Sequence, residues 1–144
     1  MQRNAVWALS NLARFKPAPD VRAITPAART FAHLVMTSTD QEVLVDSCWG
    51  LQYVTDADPS MVSLVTQAGV VPRLVELLTS GGKAVSTPVI RAIGNIVGGD
   101  DKTTDAALAS GVLEPLCQAL KSASRNHRRE AAWALSNVAA GTKD

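Results

Sequence analysis

Two cysteines, Cys48 and Cys117, are all the chain has, in neither a pairing pattern nor a metal-ligand spacing. That excludes a disulfide framework and a thiolate metal site, and it leaves reduced, buried thiols of the kind found in the cytosol or nucleus. Histidine is equally scarce. His33 and His127 have no partner at ligand or triad spacing, so both read as structural or surface residues, and neither cysteine has the His/Asp company a nucleophile needs. Charge of one sign is also missing: 14 Lys+Arg against 13 Asp+Glu give a net charge of +1. Nothing therefore draws the whole chain to nucleic acid or to an anionic membrane. The one basic run, Arg125-Asn126-His127-Arg128-Arg129, has no interleaved aromatics and reads as the solvated start of a helix. No apolar run approaches the ~18 residues of a membrane span, and Met1-Gln2-Arg3-Asn4 lacks a signal-peptide core. There is no phosphate-binding glycine loop, since Gly98-Gly99 is more simply a helix stop. No stretch alternates with a period of two, so no sheet is expected. With 47% apolar residues the chain should fold, as a soluble intracellular protein with no cofactor and no enzymatic centre.

What the chain does have is repetition. Val6-Trp7-Ala8-Leu9-Ser10-Asn11-Leu12 returns as Ala132-Trp133-Ala134-Leu135-Ser136-Asn137-Val138. Two altered copies lie between, Cys48-Trp49-Gly50-Leu51-Gln52-Tyr53-Val54 and Ile90-Arg91-Ala92-Ile93-Gly94-Asn95-Ile96. The lead residues stand at 7, 49, 91 and 133, a step of 42 each time. At the same offset Gly69-Val70-Val71 returns as Gly111-Val112-Leu113, Leu74 and Leu78 as Leu116 and Leu120, and Val43 as Val85. A period of ~40–47 residues belongs to armadillo and HEAT units. The blocks divide as 1–16 (the last helix of a truncated unit), 17–58, 59–100 and 101–142.

Helix signals inside a block are clearest in 59–100. Asp58-Pro59 opens a short helix that runs to about 67 and is stopped by Gly69; a second covers about 72–79; Ser80-Gly81-Gly82 is a loop; a longer third covers about 85–97. Short, short, long is the three-helix armadillo pattern, whereas a HEAT unit has two helices. Block 17–58 is the least regular. Lys16-Pro17-Ala18-Pro19 is a loop, and Pro26 interrupts 21–30. The expectation is a short first helix, a second near 27–36, and a third over 41–55 capped by Thr37-Ser38-Thr39-Asp40.

A helical wheel through the opening copy, with Trp7 at zero, puts Ala5, Leu9 and Leu12 at about 160°, 200° and 140°, the core stripe. Asn11, Asn4 and Arg14 fall at about 40°, 60° and −20°. The tryptophan is thus on the polar face, and a repeated exposed aromatic serves contacts. Cys48 falls between core and polar face, and Cys117 lies in an apolar helix. Stacked units set their third helices side by side at ~10 Å, joining those polar faces into one surface. It would carry Trp7/Asn11, Trp49/Tyr53, Arg91/Asn95 and Trp133/Asn137 as rungs. An extended peptide advancing ~3.3 Å per residue meets each rung with two or three residues. Asn offers a donor and an acceptor to a ligand backbone of any sequence, and neighbouring indoles form slots for aliphatic stems ending in a cation. Glu42 and Asp46, just before Trp49, and Glu130, just before Trp133, add negative charge. The expected ligand is an extended Lys/Arg-rich peptide.

These features resemble the importin alpha (karyopherin alpha) family of armadillo adaptors, which bind basic nuclear localisation signals. The resemblance covers essentially the whole chain. It rests on the opening motif, Pro17-Ala18-Pro19, Glu42-Val43-Leu44-Val45-Asp46-Ser47-Cys48-Trp49, Gly69-Val70-Val71-Pro72 and Arg91-Ala92-Ile93-Gly94-Asn95-Ile96-Val97. It implies an all-α, right-handed superhelical armadillo solenoid with three helices per repeat. Tyr53 and Arg91 match, in order, the substitutions that break the family's Trp/Asn array between its two signal-binding sites. The resemblance therefore places the chain from the end of the fourth repeat through the seventh. Trp7 and Asn11 would close the major site, while Trp133, Ser136 and Asn137 would open the minor one. Asn4, Arg14, Glu42 and Asp46 match residues near the end of the major groove and the linker. Val97, Thr104 and Asn137 match a pocket for a key lysine, and Arg91 and Glu130 match an ion pair beside it. Gln52 departs from the usual small residue and Gly98 from a commoner Thr.

The family's Arg-rich importin-beta-binding segment, its first major-site rungs and its acidic C-terminal end have no counterpart among these residues, so the chain reads as a fragment. The implied partners are basic signal peptides of cargo and, through the missing segment, importin beta, with no nucleic acid and no membrane span. The implied location is cytoplasm and nucleus. The rival reading is a generic armadillo scaffold outside nuclear import, with Arg14 and Arg91 as its best support through an acidic partner; an enzyme has no positive feature.

Overall fold

The computed structural model describes residues 1–14, 16–17 and 19–141; Phe15, Ala18 and residues 142–144 lie outside them. The described residues form nine helices and no strand. They are α1 (Gln2–Arg14), α2 (Val21–Thr37), α3 (Gln41–Ala57), α4 (Pro59–Gln67), α5 (Val71–Ser80), α6 (Lys83–Val97), α7 (Asp101–Ala109), α8 (Leu113–Ala119) and α9 (Arg125–Gly141). Among them no single helix is long and apolar enough to cross a membrane.

Local chemistry sets these boundaries. Asp20, Asp40, Asp58 and Asp100 each cap a helix, their carboxylates accepting from the backbone N–H of Arg22, Glu42, Ser60 and Thr103 at 2.8–3.0 Å. Pro59 follows its cap at the first helical position, where a missing N–H costs nothing. Gly69 (φ +83°) and Gly111 (φ +78°), one repeat apart, turn the chain out of α4 and α7 through a left-handed conformation that side chains resist.

Block 17–58 departs from the three-helix expectation. Its two expected short helices are one continuous helix, α2, with Pro26 inside it. The proline stands six residues into a helix already capped by Asp20, so its ring removes one i→i−4 bond close to a secured start. Beyond it Phe31 and Val35, both fully enclosed, anchor the helix on the core.

The third helices α1, α3, α6 and α9 lie side by side in that order, and α2, α4–α5 and α7–α8 pack along them as an outer layer. Between the layers runs one continuous apolar core, with Phe31, Leu51, Leu74, Ile93, Ile96 and Leu116 fully buried. Column by column the repeat is visible in burial. Leu51 and Ile93 are enclosed, as are Val54 and Ile96. Their counterparts on α1 behave otherwise: Leu9 is only partly buried and Leu12 is 61% exposed. Ala5 is exposed too, so the expected core stripe of α1 is not its buried face. The buried residues are Val6, Ser10 and Ala13, because α1 packs chiefly on α3 and only lightly on α2.

Candidate functional site

The four copies of the repeated motif sit on the four adjacent third helices, so the rungs lie next to one another. Trp7 is 61% exposed and Trp133 40%, large indoles left in solvent beside a well-filled core. Both lie beside a serine that folds back on its own helix: Ser10 and Ser136 donate to the carbonyls of Trp7 and Trp133 at 2.8 and 2.6 Å.

The ring of Trp133 lies across α6 at Gly94, where it occupies the space a Cβ would need. Asn137, one turn further on, donates from Nδ2 to the Gly94 carbonyl at 3.0 Å. Gly98 leaves room for that amide, since a Cβ there would stand 2.9 Å from Asn137 Nδ2. One repeat earlier, Asn95 Nδ2 reaches back in the same way to the Gln52 carbonyl at 3.3 Å and to Thr55 Oγ1 at 3.0 Å. Asn11, on the first of the described helices, bonds the carbonyl of Trp7 instead, at 3.1 Å. Asn137, so held, keeps its Oδ1 and one N–H for another partner, which is what a peptide main chain requires, whereas Asn95, with two acceptors on Nδ2, keeps only its Oδ1.

The middle of the row differs chemically. Trp49 and Tyr53 stack at 5.8 Å between ring centroids, and the Arg91 guanidinium carbon lies 5.8 Å from the Trp49 ring centroid. Arg91 also pairs with Glu130 at 3.1 Å, and Arg129 approaches the same carboxylate at 3.6 Å. The slot beside Trp49 on the α6 side is therefore filled by the protein's own cation, a contact of about 0.5–1 kcal/mol where solvent reaches it. Glu130 is only 9% exposed and is paired with Arg91, as the family resemblance implies, so it does not form the free acidic rim that its place on the wheel implies. The available acid lies further toward α1. Asp46 forms no ion pair among the described residues, and burial together with nearby Glu42 holds its carboxyl above the usual range. Glu42 itself pairs with Arg3 at 3.2 Å, which also binds Asp40 at 2.8 Å.

Asn4 and Arg14 are exposed on α1. Val97 and Thr104 are each 1% exposed, and the Thr104 hydroxyl donates to the Val97 carbonyl at 2.9 Å. They lie beneath the surface and line neither groove cleft, because α7 closes over the end of α6 and the hydroxyl finds its acceptor there. Two clefts flank Trp133. One, of about 250 Å³, is bounded by Thr55, Gly94, Asn95, Gly98 and Asn137. The other, of about 460 Å³, is bounded by Gln52, Asp56, Arg91, Asn95, Arg129 and Glu130. Asp56 and Arg129 were not among the expected site residues. The signal was available: the wheel puts them at about −20° and −40° from their own tryptophans.

The Armadillo/beta-catenin-like repeat model matches residues 58–98 and 100–140. Importin subunit alpha-1a of Oryza sativa subsp. japonica is 42% identical over 145 residues, covering 100% of this chain and 27% of that protein. Importin subunit alpha-3 of Arabidopsis thaliana is 43% identical over 134 residues, covering 92% and 25%. The chain thus spans about a quarter of the length of the curated relatives it matches. Among solved structures, a designed armadillo repeat protein in complex with the peptide (KR)4 superposes with a TM-score of 0.86 at 26% identity, over 98% of this chain and 59% of that one.

Proposed function

Given that the chain belongs to the armadillo/beta-catenin-like repeat family, we propose that it is part of a nuclear import adaptor whose row of third helices binds Lys/Arg-rich localisation signals as extended peptides. The observation that carries this reading is the Trp133–Asn137 pair, an indole laid over Gly94 and an amide fixed to its carbonyl. It presents an apolar wall for a lysine stem and hydrogen-bonding groups for the peptide backbone on one face.

In this reading Trp7 and Asn11 close one peptide site and Trp133, Ser136 and Asn137 open the next. Arg91, already placed against Trp49 and Glu130, separates them by filling the slot a ligand cation would enter. The sequence likeness to importin alpha subunits and the fold shared with a designed protein that holds (KR)4 both support a basic ligand. Cargo signals are the direct partners. Importin beta is engaged through a segment these residues do not include, and the whole protein shuttles between cytoplasm and nucleus. The blocks 1–16, 17–58, 59–100 and 101–142 are the units of the array, with the first contributing only its third helix.

Calorimetric titration with a Lys-rich peptide and a matched acidic peptide tests this. Preference for the Lys-rich peptide is expected. Preference for the acidic one would instead mark a scaffold for an acidic partner, using Arg14 and Arg91.

A further inference from the structure

The column that holds Ser10, Gly94 and Ser136 is small in three of its four members, and Gln52 is the exception. Its neighbour explains the difference. Trp133 lies over Gly94 from the next helix, and the residue at the same offset from Gln52 is Arg91, which turns instead to Trp49 and Glu130. The two substitutions belong together: without an indole at 91 the space above position 52 is open, and a longer side chain fills it. Gln52 is only 7% exposed, yet among the described residues its side-chain amide has no hydrogen-bond partner, and its Oε1 is enclosed. An unpaired buried amide is costly, and no hydrogen bond among the described residues holds this one in place. It lines the 460 Å³ cleft.

We propose that Gln52 makes this cleft a specificity subsite for an uncharged carboxamide side chain, Asn or Gln, carried by the bound peptide between its basic clusters. This rests on the peptide-groove reading above. The cleft's ions already have partners, Arg91 and Arg129 on Glu130 and Lys16 on Asp56 at 3.5 Å. Two guanidinium groups and two carboxylates line it, so its formal charge cancels. A charged ligand side chain would have to displace one of those pairs. A carboxamide needs only Gln52, which turns about its terminal torsion to present either a donor or an acceptor, and the ligand amide supplies the complement. The subsite falls one rung from Trp133, two or three peptide residues away.

The test uses a peptide with two Lys/Arg clusters joined by an alanine linker, with Gln placed in turn at each linker position. The expected result is one position at which Gln binds roughly three- to tenfold more tightly than Ala, the range of one net hydrogen bond, while Glu and Lys there give no gain. In Gln52→Met, which keeps the volume without the amide, the Gln-to-Ala affinity ratio should fall to about one. Gln52→Ser, matching Ser10 and Ser136, is the second variant should Met disturb packing. A gain at no position, or one that persists in both variants, overturns the subsite alone. If the alanine-linker peptide does not bind the unaltered chain, the groove reading falls and the subsite with it.

Discussion

Asn137 donates from its side-chain amide to the main-chain carbonyl of Gly94, 43 residues earlier, and Asn95 does the same to Gln52 at the same separation. The groove asparagines are thus also fasteners between units. Gly94 O still accepts from Gly98 N at 3.0 Å when Asn137 is lost, so Asn137→Ala should cost about 0.5–1.5 kcal/mol in urea unfolding. Asn137→Asp should cost more, because it faces a carbonyl with a carboxylate. Equal effects would mean the amide is not a donor there.

One column gives opposite results at two positions. Leu12→Ala should change stability by less than about 0.5 kcal/mol because its side chain is exposed. Ile96→Ala, at the same place in an interior unit, should cost about 2–5 kcal/mol through the cavity it leaves. Chemical denaturation of both variants checks this.

Asp46 carries a carboxyl raised by burial and by Glu42. A group raised in this way is partly protonated just above the ordinary Asp value of about 3.9, and a bound cation favours its ionised form. Affinity for a Lys-rich peptide should therefore rise with pH through that window and release protons on binding. Asp46→Asn should flatten the rise, which calorimetry in buffers of different ionisation heat detects. For folding the sign is opposite: the stability that a raised carboxyl contributes is present below its unfolded value and declines as pH rises through the folded one.

Burial pushes the Cys48 thiol up to about 12, whereas Cys117, expected from the sequence to be buried as well, is exposed. Native labelling with iodoacetamide at pH 8 should add one group, at Cys117, and denaturation should admit the second. Rapid native labelling of both would contradict the packing of α3.

Sequence alone carried the array a long way, because the 42-residue step fixes which helices are equivalent and the capping aspartates and glycines mark their ends. It misjudges α2, since a proline in the sequence signals a break although near a capped start it costs one hydrogen bond. It misjudges Ala5 and Leu12, while Leu9 packs partly buried against the core, since a wheel reports which face is apolar and not whether a neighbour covers it. The wheel alone reads Glu130 as added negative charge, while the family resemblance implies its pairing with Arg91, 39 residues away, and the folded array brings the two together. Gln52 stood out as a departure, but its link to Arg91 depends on how one helix lies over the next.

The central claim is that Trp133 and Asn137 form a peptide-binding rung, and the affinity of a Lys-rich peptide for the unaltered chain and for the Trp133→Ala/Asn137→Ala double variant tests it most directly. The account predicts a loss of about 2 kcal/mol or more with helical content unchanged by circular dichroism. Unchanged affinity in a folded double variant would contradict it.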